Sequence, residues 1–208
     1  EISRQQGVPP INPRSNLKKL LDTWGIKFDD KKAVLDAEYG FRISRNINGR
    51  DIQVTNYPWL NIRGDGLNQN ESSLSNLSTI VMTTAGSFIS NNDKIMLEPI
   101  ITSSIKSGLG DAQMAGNPKG DPRDLLSDIK AKDQKHIVSG WIKSDLKTSF
   151  QNFKKSDDTE QLMKSTNKSN ILLVSDADML MDRNWLTQRG AFANNGDFVL
   201  NVVEKMIG

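Results

Sequence analysis

The sequence predicts an α/β fold: an open sheet, mixed or parallel, flanked by helices. Three observations predict it. In the C-terminal fifth, the apolar run Ile171-Leu172-Leu173-Val174 passes through the polar turn Ser175-Asp176-Ala177-Asp178 toward a helix-patterned segment ending at Ile207. Strand, polar loop and capped helix in that order are the grammar of an α/β sheet. Short β-like runs recur through the first half, and an amphipathic helix precedes them. With 208 residues, 36% of them apolar and 25% charged, the chain is long enough for one ordinary core and too apolar for a disordered polyampholyte.

Residues 1–15 hold three prolines, a glycine and no periodicity, so they read as an extended lead-in to a single α/β domain over 16–208. Leu17, Leu20, Leu21 and Trp24 then fall on one helical face, with Ser15 or Asn16 to start the helix and Gly25 to end it in the left-handed conformation. A helix of about ten residues is expected. Ala33-Val34-Leu35, Phe41-Arg42-Ile43 and Ile52-Gln53-Val54 read as strands, the last two joined as a hairpin through Asn48-Gly49. Residues 61–76, poor in apolar side chains and rich in Gly, Asn and Ser, read as a flexible loop. Leu77–Thr83 reads as a buried strand, and Ile95–Ile101, broken by Pro99, as an edge strand. Asp121-Pro122 opens a short helix with apolar Leu125, Leu126 and Ile129, and His136–Lys143 returns to strand character. The run Ile171–Val174 reads as a central strand buried on both faces, followed by a helix from Phe198 to Ile207.

Composition excludes several chemistries. No cysteine is present, so a thiol nucleophile, a thiolate zinc site and a disulfide framework are ruled out, and one histidine rules out the two-histidine zinc motifs. His136 has no G-x-S-x-G elbow to serve, and Gly108–Gly120 matches no phosphate-binding pattern. A net charge of +2 with basic pairs beside acids does not describe a nucleic-acid surface. The uncharged stretch Ser72–Asn92 is too rich in Ser, Thr and Asn to span a bilayer. The chain begins at Glu1 and is read as a piece of a longer protein.

The polar residues at the strand ends carry what chemistry there is. Asp176 and Asp178, with Asp182 beyond them, stand where α/β proteins place ligand groups, and paired carboxylates hold Mg²⁺ or Ca²⁺. Asp-x-Asp is a weak pattern for that, and aspartates after a strand commonly cap the following turn or helix instead. Asn194-Asn195-Gly196-Asp197 stands at a helix N-terminus, where an anion is disfavoured by Asp197 itself. Asp176, Asp178, Asn194, Asn195 and Asp197 thus form a candidate binding or structural cluster, with no metal and no cofactor assigned to it.

Two C-terminal segments, Asn170–Leu180 (NILLVSDADML) and Phe192–Asn201 (FANNGDFVLN), resemble the end of the soluble domain of the gliding-motility-type ABC-transporter auxiliary proteins. Asn16–Ile26, with its terminal Trp24-Gly25-Ile26, is similar to that family's leucine-rich helix, Ala33–Asp36 to the strand after it, and Ile137–Phe150 to a later strand and loop. The Asn194-Asn195-Gly196-Asp197-Phe198 element is the most specific of these.

The resemblance implies a glutamine-amidotransferase-like or flavodoxin-like sheet of which this chain is the C-terminal portion. It implies a membrane-anchored bacterial protein on the periplasmic side of the inner membrane, held by helices outside this chain. The expected partners are ABC permease and ATPase subunits, and the expected role is non-enzymatic, through protein or substrate interaction. A small-ligand or divalent-cation module using the strand-end aspartates is the alternative. A sheet lacking its upstream strands would expose an edge, which predicts a homodimer or a swapped strand.

Overall fold

The computed structural model describes residues 17–47, 49–91, 95–117, 119–129, 134–150 and 163–208. The lead-in over 1–15 and the helix start at Ser15 or Asn16 lie outside them. The first helix, α1 (Lys18–Thr23), is six residues long rather than about ten, and Gly25 at φ 67° closes it as expected. Strands follow as β1 (Ile26–Phe28), β2 (Lys32–Asp36), β3 (Gly40–Ile47), β4 (Arg50–Arg63), β5 (Thr79–Thr83), β6 (Phe88–Ser90), β7 (Leu97–Thr102) and β8 (Ser107–Asp111). The one-turn helix α2 (Ala112–Ala115) and a 3-10 strap over Pro122–Asp128 come next. Then come β9 (Ile137–Ser144), β10 (Ser169–Val174), the small hairpin β11 (Leu186–Thr187) and β12 (Gly190–Ala191), and the C-terminal helix α3 (Asn195–Ile207).

The α/β content is as expected, but the strand direction is not. Every strand pairing among the described residues is antiparallel. A parallel pair needs a crossover of a dozen or more residues, usually a helix. Here the described links are turns, 3-10 segments and the one-turn helix α2, and the one long helix comes last. The flavodoxin-like arrangement is therefore corrected to a set of antiparallel sheets: β3-β4-β5, the ribbon β2-β8, and a five-stranded sheet built around β9.

β9 takes the central place that the sequence assigned to Ile171–Val174. It pairs with β10 along one side and β7 along the other, and with β6 at Ile137. Small residues permit this closeness: a Cβ on Gly140 would stand 2.8 Å from the Glu98 carbonyl oxygen. β10 pairs with β9 alone among the described residues, and of its apolar run Leu173 alone is fully buried. A second correction concerns 61–76. Residues through Arg63 continue β4, and Leu67 and Leu74 enter the core at 2% and 0% exposure.

The two larger sheets meet over one core, where Leu60, Ile62, Ile80 and Met82 pack against Ile100, Ile101, Val138 and Trp141, and α3 closes it with Phe198 and Val202. Leu21, Trp24, Ile26, Leu97 and Ile142 form a second cluster, which docks α1 on the other side of β9. Ala33 and Leu35 of the ribbon pack with Ala112, Ala115 and Leu125 in a third. In that third cluster the strap lies directly on β8, because a Cβ on Gly108 would stand 2.2 Å from the Asp128 carbonyl oxygen.

Candidate functional site

The site is built on the outer edge of β5. β5 pairs with β4 on one side, and alternate residues of an antiparallel strand turn their N–H and C=O groups outward. Those groups belong to Thr79, Val81 and Thr83, and among the described residues no further strand meets them. Side chains do. The Asn194 Oδ1 accepts from the backbone N–H of Ser78 at 3.0 Å and of Thr79 at 3.3 Å, and the Asn194 N–H donates to the Thr79 carbonyl at 2.9 Å. The Asn195 side chain meets Val81 twice, accepting from its N–H at 2.9 Å and donating to its carbonyl at 2.8 Å, with a further bond to the Met179 carbonyl at 2.9 Å. The Asp176 Oδ2 accepts from the Thr83 N–H at 2.6 Å.

Three of the five sequence-predicted residues therefore close a sheet edge, a place where unpaired backbone groups otherwise invite association. Asn194 does not cap α3 with its side chain as a helix start would suggest; its amide donates to the Asp197 carboxylate at 3.0 Å. Asp178 donates its backbone N–H to the Asp176 Oδ1 at 2.8 Å, and its carbonyl accepts from Asn184 at 2.8 Å. Asp182 lies apart, in the 3-10 turn Asp182–Asn184.

Asp176 is 7% exposed, and burial pushes its carboxyl up from 3.8 to about 7, against the pull of the two amide bonds. Both of its oxygens face N–H donors, an arrangement that suits the fold rather than a cation. Among the described residues no three His, Asp or Glu side chains converge as metal ligands.

Two cavities flank this edge. The larger, about 560 Å³, runs between β3, α2, the strap and the 178–192 segment, with Phe41, Trp59, Met114, Leu125 and Phe192 on its walls. The other, about 490 Å³, lies beneath α1, against Phe28, Phe88, Val174, Ser175 and Asp176. Thr84 and Asp178 line both. Thr84 is β-branched yet stands at φ 61°, where its N–H donates to the Pro58 carbonyl at 2.8 Å. Strained residues of this kind concentrate at ligand clamps and switch regions. The first cavity has the size and mostly apolar walls of a ligand site, with Trp59, Met114 and Phe192 each about half exposed.

Other polar constellations carry little signal in the sequence. Glu71, 5% exposed, accepts from the Ser73 N–H and from Lys205, whose ammonium also lies 5.2 Å from the centre of the Trp141 ring. Burial pushes the Glu71 carboxyl up, and the bonds from Lys205 and Ser73 outweigh it, leaving it below its ordinary value. Asp36, fully buried, accepts from the N–H groups of Glu38, Tyr39 and Ser104 and from the Ser104 hydroxyl. Tyr39 donates to Asp65 at 2.8 Å, and Lys135 holds the other oxygen of that carboxylate at 3.0 Å. His136 pairs through its backbone with Ser103, and burial lowers its imidazole below the usual range. Only Glu71-Ser72-Ser73, an acid followed by small polar residues, hints locally at such turn bonds.

No helix among the described residues is long and apolar enough to cross a membrane. A family model described as an ABC-type uncharacterized transport system matches residues 2–202. No curated protein and no solved structure matches the chain.

Proposed function

This chain belongs to the family of ABC-type transport-system auxiliary proteins, and from that premise we propose that it is a non-enzymatic, extracytoplasmic component that works by binding. In this reading its setting is that of the gliding-motility-type proteins it resembles: the periplasmic side of a bacterial inner membrane, anchored by helices outside this chain, beside permease and ATPase subunits. The observation that carries the binding reading is the contrast within the site. Asn194, Asn195 and Asp176 are committed to the chain's own backbone, while the neighbouring cavity offers exposed aromatic and aliphatic walls. A surface of that kind suits a partner or a transported molecule.

Purification of the full-length protein in mild detergent tests the assignment. Permease and ATPase subunits are expected to co-purify in fixed proportion; their absence under conditions that keep the permease and ATPase together overturns it. Protease added outside spheroplasts is expected to cleave the domain, and protection in intact spheroplasts overturns the periplasmic placement.

A further inference from the structure

The β3-β4-β5 sheet has two edges, and they differ. The β5 edge is closed by side chains from Asn194, Asn195 and Asp176. The β3 edge has no such cover, because β3 pairs with β4 alone among the described residues. Ile47 faces Arg50 with two residues of sequence between them, the spacing at which the flanking pair is the hydrogen-bonded one. The N–H groups of Arg42, Ser44 and Asn46 therefore point away from β4. The side chains of these three residues are exposed. Phe41, Ile43 and Arg45, the alternate set, line the 560 Å³ cavity.

An open edge and a cavity on one face of the same strand make a site for strand addition, in which backbone bonds give affinity and alternate side chains enter a pocket. Charge selects the occupant. Residues 40–63 carry four arginines (Arg42, Arg45, Arg50, Arg63) against the single acid Asp51. Of these, Arg42 and Arg50 stand exposed on the β3-β4 hairpin itself. We infer that β3 receives an extended, acidic peptide segment of a partner protein, added as a strand with its apolar side chains directed toward Phe41, Trp59 and Phe192. This deepens the binding reading and rests on it, yet needs no particular transport subunit.

The test uses the intact protein and a ten-residue peptide alternating Leu and Glu, with a Leu/Lys peptide as its counterpart, followed by fluorescence anisotropy and by amide exchange in NMR. The expected result is saturable binding of the acidic peptide, slowed exchange at Arg42, Ser44 and Asn46, and weaker binding as salt rises. Ser44→Pro removes one outward donor without touching the β3-β4 ladder, and is expected to weaken binding about tenfold. The double variant Arg42→Glu/Arg50→Glu, at exposed positions that leave the backbone unchanged, is expected to abolish the preference for the acidic peptide. Absence of binding at millimolar peptide, equal binding of the Lys peptide, or binding without protection of those three amides overturns the inference. So does protection already present without peptide: in a dimer by light scattering it gives the edge to a second copy, and in a monomer to the chain itself. Each of these failures leaves the co-purification test of the transport assignment standing.

Discussion

Asn195 and Val81 hydrogen-bond each other twice, amide to backbone, across 114 positions of sequence. The side-chain amide presents one donor and one acceptor, as a strand residue does, and so stands in for the strand that β5 lacks. With Asn195 only 1% exposed, neither group has water as a substitute.

Asn195→Ala removes both bonds to Val81 and the one to Met179. Leaving such buried partners unmet costs about 1–3 kcal/mol each before relaxation. A loss of roughly 3 kcal/mol is expected in urea unfolding; a change within experimental error would show that the edge does not need closing.

Asp176 makes stability pH-dependent in a definite direction. Its folded value, about 7, lies above the ordinary 3.8, so between them the folded chain holds a proton that the unfolded chain has released. Its contribution is fully present below about pH 4 and is lost as pH rises through about 7. Glu71, held low, acts in the opposite sense, its contribution being lost as pH falls. Asp176→Asn is therefore expected to remove the decline in urea midpoint between pH 4 and 8, and a decline that persists assigns it to another group.

Lys205→Met leaves Glu71 buried without its cation and takes the ammonium off Trp141. The expected cost is about 2–3 kcal/mol at pH 7, since the lysine is partly exposed and the glutamate is not. Glu71→Gln in the same chain is expected to recover part of it. Additive losses in the double variant, measured by denaturant unfolding, would show the two residues to be uncoupled.

Thr84→Gly relieves a β-branched residue at φ 61°. The relief of 1–3 kcal/mol exceeds the added freedom of the unfolded chain, so a net gain of about 1 kcal/mol is expected in thermal or urea unfolding. A less stable variant would show that the threonine side chain contributes more than its backbone costs.

Much of the local structure is legible in the residues themselves. Asn48-Gly49 marks the hairpin, and Gly49 stands at φ 77° as such turns require. Asp121-Pro122 marks the strap, whose first turn Asp121 caps by accepting from the Arg123 N–H at 2.9 Å. Helical spacing marks α3, though the helix begins three residues earlier than its apolar pattern. Strand direction is not legible, because it depends on how distant segments pair. β9 hides its central place behind Ser139 and Gly140, which lower its apolar character while permitting the closest packing. The Asp-x-Asp and Asn-Asn-Gly-Asp elements are visible, but their targets on β5 lie 93 to 115 positions away and leave no local trace. The aromatic cavity escapes for the same reason, since Phe41, Trp59, Met114 and Phe192 come from four separate stretches.

The contact between Gly108 and the carbonyl of Asp128 has a bearing on the cavity. Pro122 and Leu125 of the strap form one wall of the cavity, and the strap sits where it does because position 108 carries no side chain. A single methyl group there would lift that wall, so the calibre of the chamber is set by a residue outside its lining. Alanine or serine at this position is expected to widen the chamber.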